Sequence, residues 1–173
     1  MEASESVVHA LYKNDQATEA FIDHNLTILA SYTTLLKLVP AGTDIFTKTE
    51  LSRFHQFPKN RPDIYLRTSD GNEAIIILAH DSQSFITRKR LTEIITHSED
   101  DGWDSNYPGI GFVLKDDRAK YSFLHTAHKQ LDDLGIDETE LTVLATTLEA
   151  LHSGKKLIWS SAFAAKQFVS LVE

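Results

Sequence analysis

Asp63 and Asp81 stand at either end of a segment able to fold back on itself, an arrangement suited to one kind of chemistry. Metal-dependent cleavage of a phosphodiester needs carboxylates from neighbouring strands to converge on Mg²⁺, a hard cation that prefers oxygen ligands and neutralises charge developing on the phosphate. It also needs a lysine or a similar group to orient the attacking water. A hairpin supplies this set when one acid opens a strand and another closes its partner, because strand side chains alternate between faces. Asp63 follows Pro62 at the start of the first strand, and Asp81 closes the second.

Two registers are open. Strand alternation puts Ala79, Asp81 and Gln83 on one face and His80 on the other. In the first register Ala79 and Asp81 occupy the positions of the second acid and the lysine, which leaves a dead site. In the second, Asp81 supplies the acid, Gln83 an amide, and Lys89 reaches over from the next helix. The catalytic candidates are therefore Asp63, Asp81, Gln83 and Lys89, and the metal candidates Asp63, Asp81 and Glu50, the last from a preceding helix. Mg²⁺ is expected only if the site is active, and no cofactor otherwise. The same residues also have an ordinary structural reading, since Pro-Asp is turn chemistry and an Asp before Ser82-Gln83-Ser84 caps a helix. On these residues alone that ordinary reading is preferred. His125 and His128 have a helical spacing that can bind metal, but the apolar pattern makes His128 a core histidine and His125 a surface one.

The formal net charge of −8 opposes unaided DNA binding, which draws most of its non-specific affinity from Lys and Arg neutralising phosphates. The charge is uneven, however. Basic residues run from Lys48 to Arg67, and Arg88-Lys89-Arg90 follow the hairpin. Arg61, Arg67, Arg88, Lys89 and Arg90 are the candidate DNA contacts, with solvated surface as the plainer reading of any one cluster.

Several elements must position these groups. A helical arm covers about residues 4–38 and is stopped by Pro40 to Gly42; its apolar residues (Phe21, Ile22, Leu26, Ile28, Leu29, Leu35, Leu36) cover two faces, so it is sandwiched or shared with a second subunit. A helix starts at Thr47 or Thr49. Ile64–Thr68 reads as a strand, Ser69-Asp70-Gly71-Asn72 as a hairpin turn, and Ala74–Ala79 as a central strand apolar on both faces. Then follow a helix from Ser84 to about Glu99, a polar loop, a strand at Ile110–Leu114, a helix at Asp117–Leu134, a strand at Leu141–Ala145, a short helix at Leu148–Leu151, and a last helix at about 161–172 capped by Ser161. This alternation predicts an α/β fold, a mixed central sheet flanked by helices.

With 173 residues and 42% hydrophobic content, the chain suits one domain, its core spanning about residues 44–160. The absence of cysteine excludes disulfides and thiolate metal sites and fits a reducing cytoplasm. The longest apolar run, Ala74–Ala79, is too short to cross a bilayer.

The hairpin is laid out like that of a PD-(D/E)xK nuclease, and a series of blocks resembles one family with such a fold. Arg61-Pro62-Asp63-Ile64-Tyr65-Leu66, Ile77-Leu78-Ala79-His80-Asp81 with its Ser/Thr-rich sequel, Gly111-Phe112-Val113-Leu114-Lys115-Asp116, and Thr146-Thr147-Leu148-Glu149-Ala150-Leu151 followed by Ile158-Trp159 are similar to replication-relaxation proteins of plasmids and integrated mobile elements. The resemblance runs from about residue 20 to 160 and rests on the series rather than on any one block. It implies a restriction-endonuclease-like αβββαβ core, the C-terminal half of the family's usual layout, without the winged helix that reads DNA. It carries over Asp63 and Asp81, but where the family's return strand usually reads Glu-x-Asp this chain has Ala79-His80-Asp81. The expectation is thus a non-catalytic or weakly active nuclease-like protein of plasmid or mobile-element replication or mobilisation. It would contact DNA weakly and through another protein, and form a homodimer. An interaction module with no nucleic-acid role and an active Mg²⁺-dependent endonuclease are the alternatives.

Overall fold

The computed structural model describes residues 18–99, 103, 107–155, 158–164 and 168–169. The element order is α1 (Glu19–Leu38), β1 (Asp44–Thr47), a 3-10 turn (Glu50–Arg53), β2 (Ile64–Arg67), β3 (Glu73–Leu78), α2 (Ser84–Glu99), β4 (Gly109–Leu114), α3 (Asp117–Leu134), β5 (Val143–Thr147), α4 (Leu148–His152), β6 (Trp159–Ser161) and β7 (Phe168–Val169). Its first six regular elements run α-β-β-β-α-β. The strands form one mixed sheet in sequential order, antiparallel from β1 to β3, parallel from β3 to β5, and antiparallel again to β7.

β3 is central because nearly every position is apolar: five of its six residues are buried, and it pairs with β2 on one side and β4 on the other. Ile75 and Ile77 face one core, while Ala74, Ile76 and Leu78 face the second. Burying each such Ile or Leu is worth roughly 1.5–3 kcal/mol. The hairpin closes where expected. Gly71 adopts φ +86°, and Thr68 receives Asn72 and donates to it: the Thr68 N–H meets the Asn72 carbonyl at 2.9 Å, and the Asn72 N–H meets Thr68 Oγ1 at 3.0 Å.

Helices cover both faces. On one, Leu91, Ile94 and Ile95 of α2 and Phe123, Leu124, Ala127 and Leu131 of α3 pack on the sheet. On the other, Ile28 and Leu35 of α1 meet Leu151 of α4 and Trp159. α3 has both ends fixed by sequence: Asp116 accepts from the Ala119 N–H at 2.8 Å, and Gly135 ends the helix at φ +72°.

Four local expectations change. Residues 4–17 of the helical arm lie outside the described residues, and α1 buries one face (Ile28, Ser31, Leu35) while Phe21, Ile22, Leu26 and Leu36 stay exposed. The helix expected from Thr47 or Thr49 is one 3-10 turn, because Thr47 is the last residue of β1 and Phe54 and Phe57 fold into the aromatic core beside Tyr65. β5 begins two residues later than the sequence pattern suggests, running Val143–Thr147. The last helix, expected at about 161–172, is replaced where it is described: Ser161 belongs to β6 and Phe168–Val169 forms β7. β6 would otherwise present a row of unpaired backbone groups, which the antiparallel partner satisfies.

Candidate functional site

Asp63 sits one residue before β2 and continues its ladder. Its N–H donates to the Ile76 carbonyl at 3.0 Å, and its carbonyl accepts from the Lys48 N–H at 2.9 Å. Its carboxylate turns back into the hairpin, where Oδ2 accepts from the Leu78 N–H at 2.8 Å. The residue is only 4% exposed, so its charge needs compensation at close range. Two groups supply it at Oδ1: His24 Nε2 at 3.5 Å and Lys48 Nζ at 3.8 Å.

His24 is placed by α1. It stands one turn before Ile28 and continues the buried stripe of Ile28, Ser31 and Leu35. Its other ring nitrogen, Nδ1, lies 3.6 Å from Asp81 Oδ2, so one imidazole bridges the two aspartates. The His80 ring stacks parallel to it with centroids 6.1 Å apart.

That geometry corrects the strand alternation assumed beyond Leu78. β3 ends there, and Ser82 donates its N–H to the Ala79 carbonyl at 3.2 Å in a turn. His80 and Asp81 consequently both approach His24 instead of pointing to opposite faces. Ala79, 5% exposed, packs with the core that contains Ile77 and Leu114.

The two histidines differ in charge. Contact with the Asp63 carboxylate raises the His24 pKa above 6.5, outweighing burial, and Asp81 adds to the rise. Burial is the main cause lowering the pKa of His80, whose Nδ1 is buried without a hydrogen-bond partner. The protonated form is therefore favoured at His24 and the neutral form at His80, each relative to a free imidazole.

The Asp63 site opens into a cleft of about 410 Å³, lined among others by His24, Lys48, Lys89, Arg90 and Glu93. Arg90 is already committed, since its guanidinium donates to the carbonyls of Asn60 (2.5 Å) and Arg61 (2.8 Å) and lies 3.6 Å from Glu93. Lys89 is exposed on the rim. A second cleft, about 690 Å³, shares Ala79, Ser82 and Thr87 with the first and is lined also by Asp81, Gln83 and Arg88.

The expected catalytic set is thus divided. Asp63 and Lys89 line the first cleft, Asp81 and Gln83 the second, and Asp81 also reaches His24. Glu50 serves its own turn, accepting from Thr47 N–H at 2.8 Å and from Thr47 Oγ1 at 2.9 Å. Arg67 pairs with Asp44 at 3.0 Å at the far end of β2, away from Asp63. Of the basic candidates, Arg88 and Lys89 keep exposed side chains beside the clefts. His128 is exposed, not core, and meets Phe163 edge-on at 5.6 Å; His125 is exposed as expected.

These residues, as arranged, do not fit a divalent cation. Mg²⁺ asks for several converging oxygens. Here the His24 imidazole lies between the two carboxylates, 3.5 Å from one and 3.6 Å from the other, and Ala79 offers no ligand. Among the described residues no group of three or more His, Asp or Glu side chains is arranged to hold a metal ion.

His24 and Lys48 are the site residues that hairpin reasoning misses. His24 had one signal, a histidine one turn before Ile28 on the helix face that also carries Leu35. Lys48 had only its place in a basic run.

Compared with models of known protein families, with curated proteins and with solved structures, the chain finds no match. No described helix is long and apolar enough to cross a membrane.

Proposed function

We propose that this chain is a nuclease-like protein that no longer cleaves DNA and that serves plasmid or mobile-element replication or mobilisation through weak DNA contacts aided by another protein. One observation carries the loss of cleavage: the His24 imidazole bridges Asp63 and Asp81, in the space where a metal-dependent site would place its cation. The α-β-β-β-α-β order supports the nuclease-like ancestry, as does Asp63 at the start of the middle hairpin. Ala79 removes the carboxylate between them in sequence, and losses of about a hundredfold follow even from milder changes around a metal site.

Weak DNA contact agrees with the charge distribution. Lys48, Lys89 and Arg88 project beside the clefts on a chain whose formal net charge is −8. The exposed apolar residues of α1 (Phe21, Ile22, Leu26, Leu36) support a homodimer.

The test is incubation of the purified chain with supercoiled plasmid and Mg²⁺ or Mn²⁺. No nicking above a buffer control is expected. Metal-dependent nicking that vanishes in both Asp63→Asn and Asp81→Asn would overturn the reading and restore an active endonuclease.

A further inference from the structure

We infer that the second cleft, between the starts of α2 and α3, is a binding site for the phosphate group of a nucleotide-sized ligand. The cleft lies beyond the carboxyl ends of the adjacent parallel strands β3 and β4, which run on into Ala79 and Lys115 on its wall. Its volume of about 690 Å³ falls within the usual range for small-molecule sites, roughly 300–1,000 Å³.

The charge inventory of the cleft selects an anion. Two cations line it, Arg88 from the first turns of α2 and Lys115 from the β4–α3 connection, and both side chains are exposed. Among the described residues neither side chain has an ion-pair or hydrogen-bond partner. Every carboxylate nearby is engaged elsewhere. Asp81 faces His24 at 3.6 Å, Asp116 accepts from the Ala119 N–H at 2.8 Å, and Asp117 holds Lys120 at 2.6 Å. Among the residues that line the cleft, two cations, Arg88 and Lys115, stand against one carboxylate, Asp81, on an otherwise acidic chain.

The remaining lining suits a phosphate ester. Ser82, Ser84 and Ser122 offer hydroxyls, and Gln83 offers an amide. Leu114, Ala119 and Phe123 give an apolar floor for the carbon skeleton that carries the phosphate. Arg matches phosphate oxygens with two parallel hydrogen bonds, while Lys acts as a point charge. The start of α2, which carries no acidic residue in its first turn, adds a field of the same sign. None of this depends on whether the Asp63 cleft ever cleaves DNA.

The phosphate can come from a free nucleotide or from a nucleic-acid backbone, and calorimetric titration of the full chain distinguishes them. The probes are inorganic phosphate, AMP, ATP, adenosine as the uncharged control, and a short single-stranded oligonucleotide. Saturable binding of AMP or ATP, with none of adenosine, is expected. Arg88→Ala combined with Lys115→Ala should weaken it at least about tenfold, the usual loss for a charge-assisted contact. Ser122→Trp, which fills the cleft at an exposed position without altering charge, should also abolish it, whereas Lys129→Ala, further along α3, should leave it unchanged. Binding of the oligonucleotide alone, lost in the same variants, supports the phosphate site and assigns it to a nucleic-acid backbone. Failure of every phosphate-bearing probe to bind, or binding that survives both cleft variants, overturns the proposal.

Discussion

His24 Nε2 lies 3.5 Å from Asp63 Oδ1, joining α1 to the start of β2 through a contact between an imidazole and a buried carboxylate. The same ring meets Asp81 through its other nitrogen at 3.6 Å. Three residues far apart in the chain thus share one charge balance, and most of what the site will do in solution follows from it.

The first consequence is spectroscopic. His24 should titrate above 6.5 because the Asp63 carboxylate favours its protonated form, and His80 below 6.5 because it is buried. Asp63→Asn removes the main cause of the upward shift, so His24 should move back down while His80 remains low. NMR titration of the imidazole resonances measures both. A His24 midpoint unchanged in the variant would mean that Asp63 does not hold the proton.

Stability should depend on pH in two opposing limbs. The folded pKa of His24 is raised, so its contribution is full below 6.5 and is lost as pH climbs through the higher folded value. The folded pKa of His80 is depressed, so its neutral form contributes above 6.5 and the advantage is lost as pH falls through the lower value. His24→Gln should flatten the alkaline limb and leave the acid limb. Thermal melts across that range decide it, with an expected loss near pH 6 of about 1 kcal/mol, or roughly 2–4 °C in Tm for a chain of this size.

On the proposed reading, a carboxylate introduced at position 79 should not create an enzyme. Ala79 is 5% exposed and packs in the core, so Ala79→Glu would bury a group without partners. The cost should be about 2–4 kcal/mol, seen as a drop of roughly 5–15 °C in Tm, with no gain of metal-dependent nicking. A stable variant that cleaves DNA would show that the fold still holds a recoverable metal site.

The exposed face of α1 predicts self-association. Ile22 and Leu26, one turn apart, are 38% and 51% exposed, which is costly for apolar side chains left in water. Light scattering at micromolar concentration should give a dimer mass. Ile22→Glu with Leu26→Glu should return a monomer that keeps its melting temperature, because neither residue belongs to the buried stripe. A wild-type monomer under these conditions would remove the dimer.

Glu73 should matter more than its place at a strand end suggests. It accepts from the Tyr65 hydroxyl and from Trp103 Nε1 at 2.6 Å, in an aromatic cluster. Glu73→Ala leaves both donors without that acceptor, for a loss of about 1–3 kcal/mol in urea unfolding. A shift in tryptophan emission should accompany it, and unchanged emission would count against the hydrogen bond to Trp103.

Much of the fold could be read from residue order alone, for local reasons. Asp70-Gly71 meets the positive φ of a tight turn, Asp116 and Gly135 bracket α3, and the run Ala74–Leu78 is too apolar for any place but the middle of a sheet. The place of Asp63 at a strand start could be read as well, because that position is itself local. The class of fold, the hairpin and the helix over Asp117–Leu134 were therefore settled by sequence. What tertiary structure decided was everything that depends on distance across the chain. Strand alternation could not reveal that β3 stops at Leu78 and turns Asp81 toward α1, because the competing turn is stabilised by contacts outside the strand. Nor could it reveal that His24 lies between two aspartates, or that β7 rather than a helix closes the sheet beside β6. Charge pairing and edge pairing are satisfied by whichever groups packing brings near, and sequence separation carries no record of which those are.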